Sequence, residues 1–257
     1  MSEVSYRPLI EDMVFSYSRL ECFEACPYRW FLKYITGCEE EPRFYSSYGS
    51  LMHSLLQRYY IGFLKARDLP EAFLEEFSDQ VRGERPSDSI VQKYISSGLS
   101  YLRGFQPLPF NPIAVEAKLD FEVCGVPFTG IIDFLGEKDG NVYIVDHKSR
   151  DLKPRSKRKK PTQNDMELDE MLRQLYIYAE GVRRVFGKYP AALCFNCFRN
   201  GTLIEEPFDV EACQKALSWA SNLIETIKDE EDFAPYIDFF PCRWLCGVSS
   251  QCVYNGR

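Results

Sequence analysis

Two hydrophobic periods alternate along the chain. In FSYSRLECFEACPYRWFLKYI the aromatic and aliphatic positions return every three or four residues, with Ser16 or Ser18 placed to cap a helix and Pro27 to interrupt it. The spacing predicts a helix, a break at Cys26-Pro27, and a further turn or two. YGSLMHSLLQRYYIGFLKA sets Met52, Leu55, Leu56, Tyr59 and Phe63 on one stripe, with His53 just off it. Residues 70 to 105 read as helical and carry no motif. Pro107, Pro109 and Pro112 then mark a turn, after which IAVEAKLDFEVCG, VPFTGIIDFLGEKDG and NVYIVDHKS alternate or run apolar between glycine turns. Three consecutive strands are expected there. Helical spacing resumes through Leu172, Leu175, Tyr176, Ala179, Val182 and Phe186 and stops at Gly187. AALCFNCFRNGTLIEEPF reads as a hairpin with an Arg-Asn-Gly turn, and a last helix over Val210 to Lys228 precedes a cysteine-rich tail. Helices, strands, helix, strands, helix is an α/β order, predicting a central mixed β-sheet flanked by helices.

Composition narrows the picture. With 45% hydrophobic residues and 15% aromatics in 257 residues there is material for one elaborated domain. No apolar run approaches the roughly 20 residues a bilayer crossing needs, and MSEVSYRPLIEDM lacks the basic start and apolar centre of an export signal. A soluble, cytoplasmic protein with no membrane partner is the expectation. Its ten cysteines are then free thiols or metal ligands rather than disulfides. The net charge of -7 argues against a uniformly basic coat for nucleic acid, yet Lys148 to Lys160 holds eight Lys or Arg against one Asp. Such a segment on an acidic body suits an anionic ligand bound at one place, or is a solvated surface insertion. As a mobile loop it would neutralise phosphates.

The strand YIVDHK ends in charges. Residues two apart on a strand share a face, so Asp146 and Lys148 point together and His147 points away. One strand earlier, GIID delivers Asp133 after a glycine that permits close backbone approach. Paired as a hairpin, the two strands bring Asp133 and Asp146 near each other, a repulsion that Mg2+ or Mn2+ relieves. The same short element also describes an ion pair capping a strand end.

The order of the surrounding parts resembles the PD-(D/E)XK nuclease superfamily, in particular its RecB-like branch with an iron-sulfur cluster, which includes AddB-type nuclease domains and the Cas-four nucleases of CRISPR adaptation. SYSRLECFEACPYRWFLKYI resembles the branch's N-terminal segment, in which a cysteine before proline, here Cys26, is a cluster ligand. YGSLMHSLLQRYY matches the helix with the metal-binding histidine, here His53. VEAKLDFEVCGVPFTGIIDFLG matches the glutamate strand and G-x-x-D, giving Glu116 and Asp133; YIVDHKS matches (D/E)-x-K, giving Asp146 and Lys148. QLYIY matches the Q-x-x-x-Y helix, giving Gln174 and Tyr178, and CRWLCGVSSQC the terminal cysteine cluster. Two departures stand out: Ile132 precedes Asp133 where the superfamily's name has proline, and the second acid is Asp146 rather than the commoner Glu.

The resemblance implies a restriction-endonuclease-like core. Asp133, Asp146, His53 and the backbone carbonyl of His147 would hold Mn2+ or Mg2+, and Lys148 would serve the scissile phosphate or the attacking water. Glu116 would orient water or the lysine, or else sit on an exposed strand face. Gln174 and Tyr178, one helical turn apart, would grip the nucleic-acid backbone, unless Tyr178 only packs. Cys242, Cys246 and Cys252 have no histidine nearby; with Cys26 they would bind a 4Fe-4S cluster, joining residues 1–48 and 229–257 around a nuclease core at 49–228 of a single domain, with reduced thiols or zinc as the alternative. Cys22 is the rival of Cys26. Cys194 and Cys197 are expected in the core, and Cys38, Cys124 and Cys213 have no evident partner. The function implied is metal-dependent cleavage of DNA, by an exonuclease acting on single strands or ends. A non-catalytic end-binding or assembly subunit is the alternative. No Walker motif occurs, so unwinding would fall to a helicase or CRISPR-adaptation partner.

Overall fold

The computed structural model describes residues 5–254. Five short to medium helices lead into the sheet region: α1 (Arg7–Glu11), α2 (Tyr17–Ala25), α3 (Pro27–Tyr34), α4 (Phe44–Tyr60) and α5 (Leu69–Gln80), followed by α6 (Asp88–Arg103). Ser16 caps α2 by accepting from the Arg19 amide, and Pro27 opens α3 where its missing N–H costs nothing. The α4 helix starts earlier than its pattern suggests and ends at Tyr60, which leaves Phe63 beyond it and 75% exposed. The predicted stripe therefore closes at Tyr59; Gly62, at φ +80°, turns the chain away.

Five strands form one sheet in the order β1-β2-β3-β4-β5: β1 (Asn111–Val123), β2 (Val126–Lys138), β3 (Asn141–Lys148), β4 (Ala192–Cys197) and β5 (Thr202–Pro207). All neighbours are antiparallel except β3 and β4, which run parallel because α7 (Gln163–Phe186) crosses over between them. The helix α8 (Val210–Asp229) packs on α7, and the short α9 (Phe239–Trp244) begins the tail. Thr162 and Asp165 close a reciprocal capping box on α7, and Gly187, at φ +72°, ends it.

Three packed regions result. The main core lies between α2, α3, α7, α8 and one sheet face; a second joins α4, α5 and α6 with Phe198; the third, around Phe134, Val145 and Cys194, covers the other face. Cys197 belongs to the first and Cys194 to the third, so the two thiols are buried on opposite sides of β4, as the strand period requires.

Besides a register shift between Pro112 and Ala114, the alternation slips at Glu116. On β1, Ala117, Leu119, Phe121 and Val123 face the main core, but on the other side of Glu116 it is Ala114 that does so, while Val115 packs on the third region. On β2 the same change falls between Ile132 and Leu135. Glu116, at φ +51°, stands at the slip, between the pairs Val115–Phe134 and Ala117–Ile132 and hence opposite Asp133. A left-handed glutamate costs roughly 1 kcal/mol, and this strain lies where two carboxylates meet.

Candidate metal centre

Four elements meet at this corner of the sheet. His53 comes from the middle of α4, Glu116 and Asp133 from the slip in β1 and β2, and Asp146, His147 and Lys148 from the end of β3. The β2–β3 pairing runs from Lys138–Asn141 to Phe134–Val145, so the next pair in register is Asp133 and Asp146. In place of a backbone bond at that end, Asp133 Oδ2 accepts from the His147 amide at 2.7 Å. The hairpin expected from the sequence thus delivers the two acids side by side.

His53, Glu116 and Asp133 each offer one ligand atom within 4.8 Å of the others. His53 Nδ1 lies 3.5 Å from Asp133 Oδ2, and its Nε2 lies 2.9 Å from the His147 carbonyl oxygen. That carbonyl therefore points into the corner. Asp146 is turned instead toward Lys148, whose Nζ stands 2.8 Å from Asp146 Oδ2. Among the described residues the three-residue group omits Asp146, and the glutamate left open by its strand pattern takes the place beside Asp133.

The charges are mutually shifted. Burial pushes the Asp146 carboxyl up to about 6, against the pull of Lys148 and with the repulsion of Asp133. Burial also opposes ionisation of Asp133, but the hydrogen bond and charge of His53, with His147, hold it below the usual carboxylate range. Glu116 is raised by burial and by Asp133. For His53, burial favours the neutral ring, yet Asp133, Asp146 and Glu116 together raise its pKa. Three acids with one histidine crowded in low dielectric is a donor set that a divalent cation suits, its oxygen ligands favouring Mg2+ and the imidazole favouring Mn2+.

Behind the acids stands a relay from α7. Lys148 Nζ donates to Gln174 Oε1 at 3.2 Å, and Gln174 Nε2 donates to the Tyr178 hydroxyl at 3.2 Å. Tyr178 lies flat against Gly130, where a Cβ would fall 2.4 Å from its ring. The glycine of G-x-x-D is thus required by the tyrosine of Q-x-x-x-Y. Against burial, which favours the neutral amine, Asp146 and then Asp133 keep Lys148 above its ordinary value, so it stays an ammonium.

His147 faces the opposite side, as its position predicts, and is 3% exposed. Burial pushes its pKa down to about 4, so the ring is neutral. Its Nδ1 accepts from Asn196 Nδ2 at 3.0 Å, and the same amide donates to the Tyr101 hydroxyl at 2.8 Å. Sequence reasoning missed Asn196 and Tyr101; neither carries a local motif, and only the parallel β3–β4 pairing of His147 with Asn196 reveals them. A cleft of about 460 Å³ opens onto the corner, lined by Ser46, Gly49, Ser50, His53, Ser54 and Gln57 of α4 and by Glu116.

The cysteines lie elsewhere. Cys26 Sγ accepts from the Tyr236 amide, and the Glu41 amide donates to the Gly247 carbonyl, so the N-terminal helices and the tail are in contact. Burial raises the Cys246 thiol, which feels Cys242 and Cys26 as well as Arg29. Cys252 acts on Tyr28. Cys22 is buried, its thiol pushed up to about 11, and also near Arg29 and Cys246.

Comparison with known proteins agrees with this geometry. Residues 14–253 match the family model described as the PD-(D/E)XK nuclease superfamily. No curated protein sequence is significantly similar. The crystal structure of a protein from Eubacterium rectale described as a candidate exonuclease superposes with a TM-score of 0.55 at 17% identity, covering 98% of this chain and 92% of that one. The crystal structure of SSO0001 aligns over 93% of this chain and 94% of that one at 16% identity, but its TM-score of 0.32 bears no argument. Among the described residues, no helix is long and apolar enough to cross a membrane.

Proposed function

The chain belongs to the PD-(D/E)XK nuclease superfamily, and from that premise we propose that it is a divalent-metal-dependent deoxyribonuclease, acting as an exonuclease on single-stranded DNA or DNA ends. The observation that carries the reading is the meeting of His53, Glu116 and Asp133 within 4.8 Å, beside the Asp146–Lys148 pair. His53, Asp133, the His147 carbonyl and Asp146 would hold Mn2+ or Mg2+, with Glu116 as a further carboxylate. The bound cation would supply Lewis acidity toward the phosphate and a more acidic water. Lys148, kept charged by Asp146, donates to a phosphate oxygen or holds the water, and so stabilises the developing negative charge. Gln174 fixes the lysine, and Tyr178 fixes Gln174. The neutral His147 ring only anchors its own backbone.

We further infer that the whole chain works as one nuclease domain whose residues 1–48 and 229–257 are joined by a 4Fe-4S cluster on Cys26, Cys242, Cys246 and Cys252. Two observations support this: Cys26 Sγ accepts from the Tyr236 amide where the two segments meet, and, among the described residues, Arg29 Nε is buried without a hydrogen-bond partner, a cation suited to an anionic cluster. Cys26, Cys242, Cys246 and Cys252 would hold the cluster as thiolates, and the cluster would tie the two segments together. Duplex unwinding, where needed, would come from a helicase partner, and a CRISPR-adaptation complex is an alternative setting.

The test is cleavage of end-labelled single-stranded DNA with Mn2+ or Mg2+, alongside Asp133→Ala. Metal-dependent shortening that the variant lacks is expected. Intact single-stranded, duplex and flapped substrates under all metals would sink the reading and leave the non-catalytic end-binding role. Iron and sulfide in a purified brown protein, absent from Cys246→Ser, would support the cluster; zinc in their place would exclude it.

A further inference from the structure

The eight cations between Lys148 and Lys160 do not share one fate. Lys148 pairs with Asp146, Arg150 with Glu167, and Arg155 with both Asp169 and Glu206. These pairs belong to a fastening. Leu152 is buried in the main core, and Asn200 donates to Asp151 Oδ1 at 2.6 Å and to the Leu152 carbonyl at 2.9 Å. Asp165 accepts from the Ser156 amide and hydroxyl at 2.7 and 2.6 Å and from Thr162, and Asn164 donates to the Lys153 carbonyl. The segment expected to be a mobile loop is pinned at both ends and in the middle, because its own residues satisfy the start of α7 and the edge strand β5.

Lys153, Lys157, Arg158, Lys159 and Lys160 remain. All five are exposed, and among the described residues none of them has an ion-pair partner. On a chain of net charge -7 with carboxylates close at hand, five like charges held outward on a fastened backbone repel one another. An extended polyanion relieves that repulsion, and a loop with a pinned backbone loses less conformational entropy when it binds. Place matters as much as sign. The run leads into Gln163, the first residue of α7, and Gln174 on the same helix touches Lys148. Eleven residues of helix at 1.5 Å each put the head of α7 about 16 Å from the lysine. With the phosphates of one duplex strand about 3.4 Å apart along the helix axis, that is roughly five nucleotides of duplex, and fewer of an extended single strand.

We propose that Lys153 and Lys157–Lys160 form a second, non-catalytic grip on the DNA backbone, holding phosphates several nucleotides from the scissile one. The proposal rests on the nuclease reading above. It predicts a contact blind to base sequence, sensitive to salt, and dispensable for substrates too short to reach it.

The experiment is fluorescence anisotropy with labelled single-stranded DNA, without divalent metal, over a salt series. It compares the full chain with a variant carrying Lys157→Ala, Arg158→Ala, Lys159→Ala and Lys160→Ala. The slope of log affinity against log salt is expected to fall by about 3, and low-salt affinity by at least about tenfold, on a long oligonucleotide. The difference should vanish on one too short to span the distance. A control replacing Lys65, Lys93, Lys138 and Lys215 should keep the wild-type slope; an equal loss there would mean that only net charge matters and would overturn the proposal. An unchanged slope in the loop variant also overturns it, while metal-dependent cleavage by the wild type would leave the nuclease reading standing. Wild-type binding to phosphatidylserine vesicles that the loop substitutions abolish, with DNA binding untouched, would reassign the patch to a membrane surface.

Discussion

The metal corner and the cysteine junction hold their chemistry in different ways. At the corner every donor rides on a long regular element, and the donors already bond one another: His53 to Asp133, Asp133 to the His147 amide, Lys148 to Gln174. At the junction the thiols ride on helix ends and on a tail built from a six-residue helix and a single short 3-10 turn. The segments there meet through scattered bonds, such as Ser250 to Glu41 at 2.8 Å and Gln251 to Glu39 at 3.1 Å, and among the described residues Arg29 Nε and Arg43 Nε are buried without hydrogen bonds. The backbone organises the first region without a ligand. The second is held by a tail of short elements, so the cluster proposed for it should matter to folding more than the divalent ion does.

The largest expected effect breaks the corner without touching the junction. Lys148→Met should cut the turnover rate by at least about 10²-fold, since it removes the cationic side chain aimed at the developing charge, while thermal stability and iron content stay near wild type. Single-turnover cleavage and a melting curve check this together; near-normal turnover would remove the lysine from the mechanism. The converse experiment breaks the junction. Cys26→Ser should lose the visible absorption and, by releasing a loop of over two hundred residues, cost on the order of 3–5 kcal/mol, about 10 °C in Tm. Stripping the divalent ion with a weak chelator should move Tm far less. Equal shifts would erase the contrast between the two regions.

A smaller effect tests how far support for the corner extends. Asn196→Ala leaves the buried Nδ1 of His147 unpaired and frees the backbone that links His53 to Asp133. The affinity for Mn2+, read by calorimetry or by the spin-resonance signal, should weaken about 10- to 100-fold. Asn196→Asp should recover part of it, and unaltered Mn2+ binding in the alanine variant would confine Asn196 to packing. The smallest effect concerns pH. Hydrogen bonds from Ser156 hold the Asp165 carboxyl well below the usual range, with those from Thr162 adding to them. A depressed folded pKa gives stability that is complete above the unfolded value, about 4, and lost as pH falls through the folded one. The stability gap between wild type and Asp165→Asn should therefore be flat above about pH 5 and shrink below about pH 4. A gap that widens on acidification would contradict the sign.

Helix and strand periods, the break at Cys26-Pro27, the stop at Gly187 and the hairpin turn at Asn200-Gly201 were legible in the sequence because each is set within a few residues. So was the division of β3, with Asp146 and Lys148 on one face and His147 on the other, since it follows from the strand period alone. The resemblance carried by the ordered motifs sufficed for the superfamily. Only the tertiary structure decided which carboxylate joins His53 and Asp133. A period of two leaves Glu116 on an ordinary strand face, and the left-handed turn that moves it into the corner is a backbone choice enforced by packing on both sides of the sheet. The long-range pairings decided the rest: β3 beside β4 brought Asn196 to His147, and α7 across the sheet fitted Tyr178 to Gly130. The same holds for the basic segment. Its charge was written in the sequence, but which cations are spent on fastening and which face outward depended on Asp165, Asp169 and Glu206, brought close only by the fold.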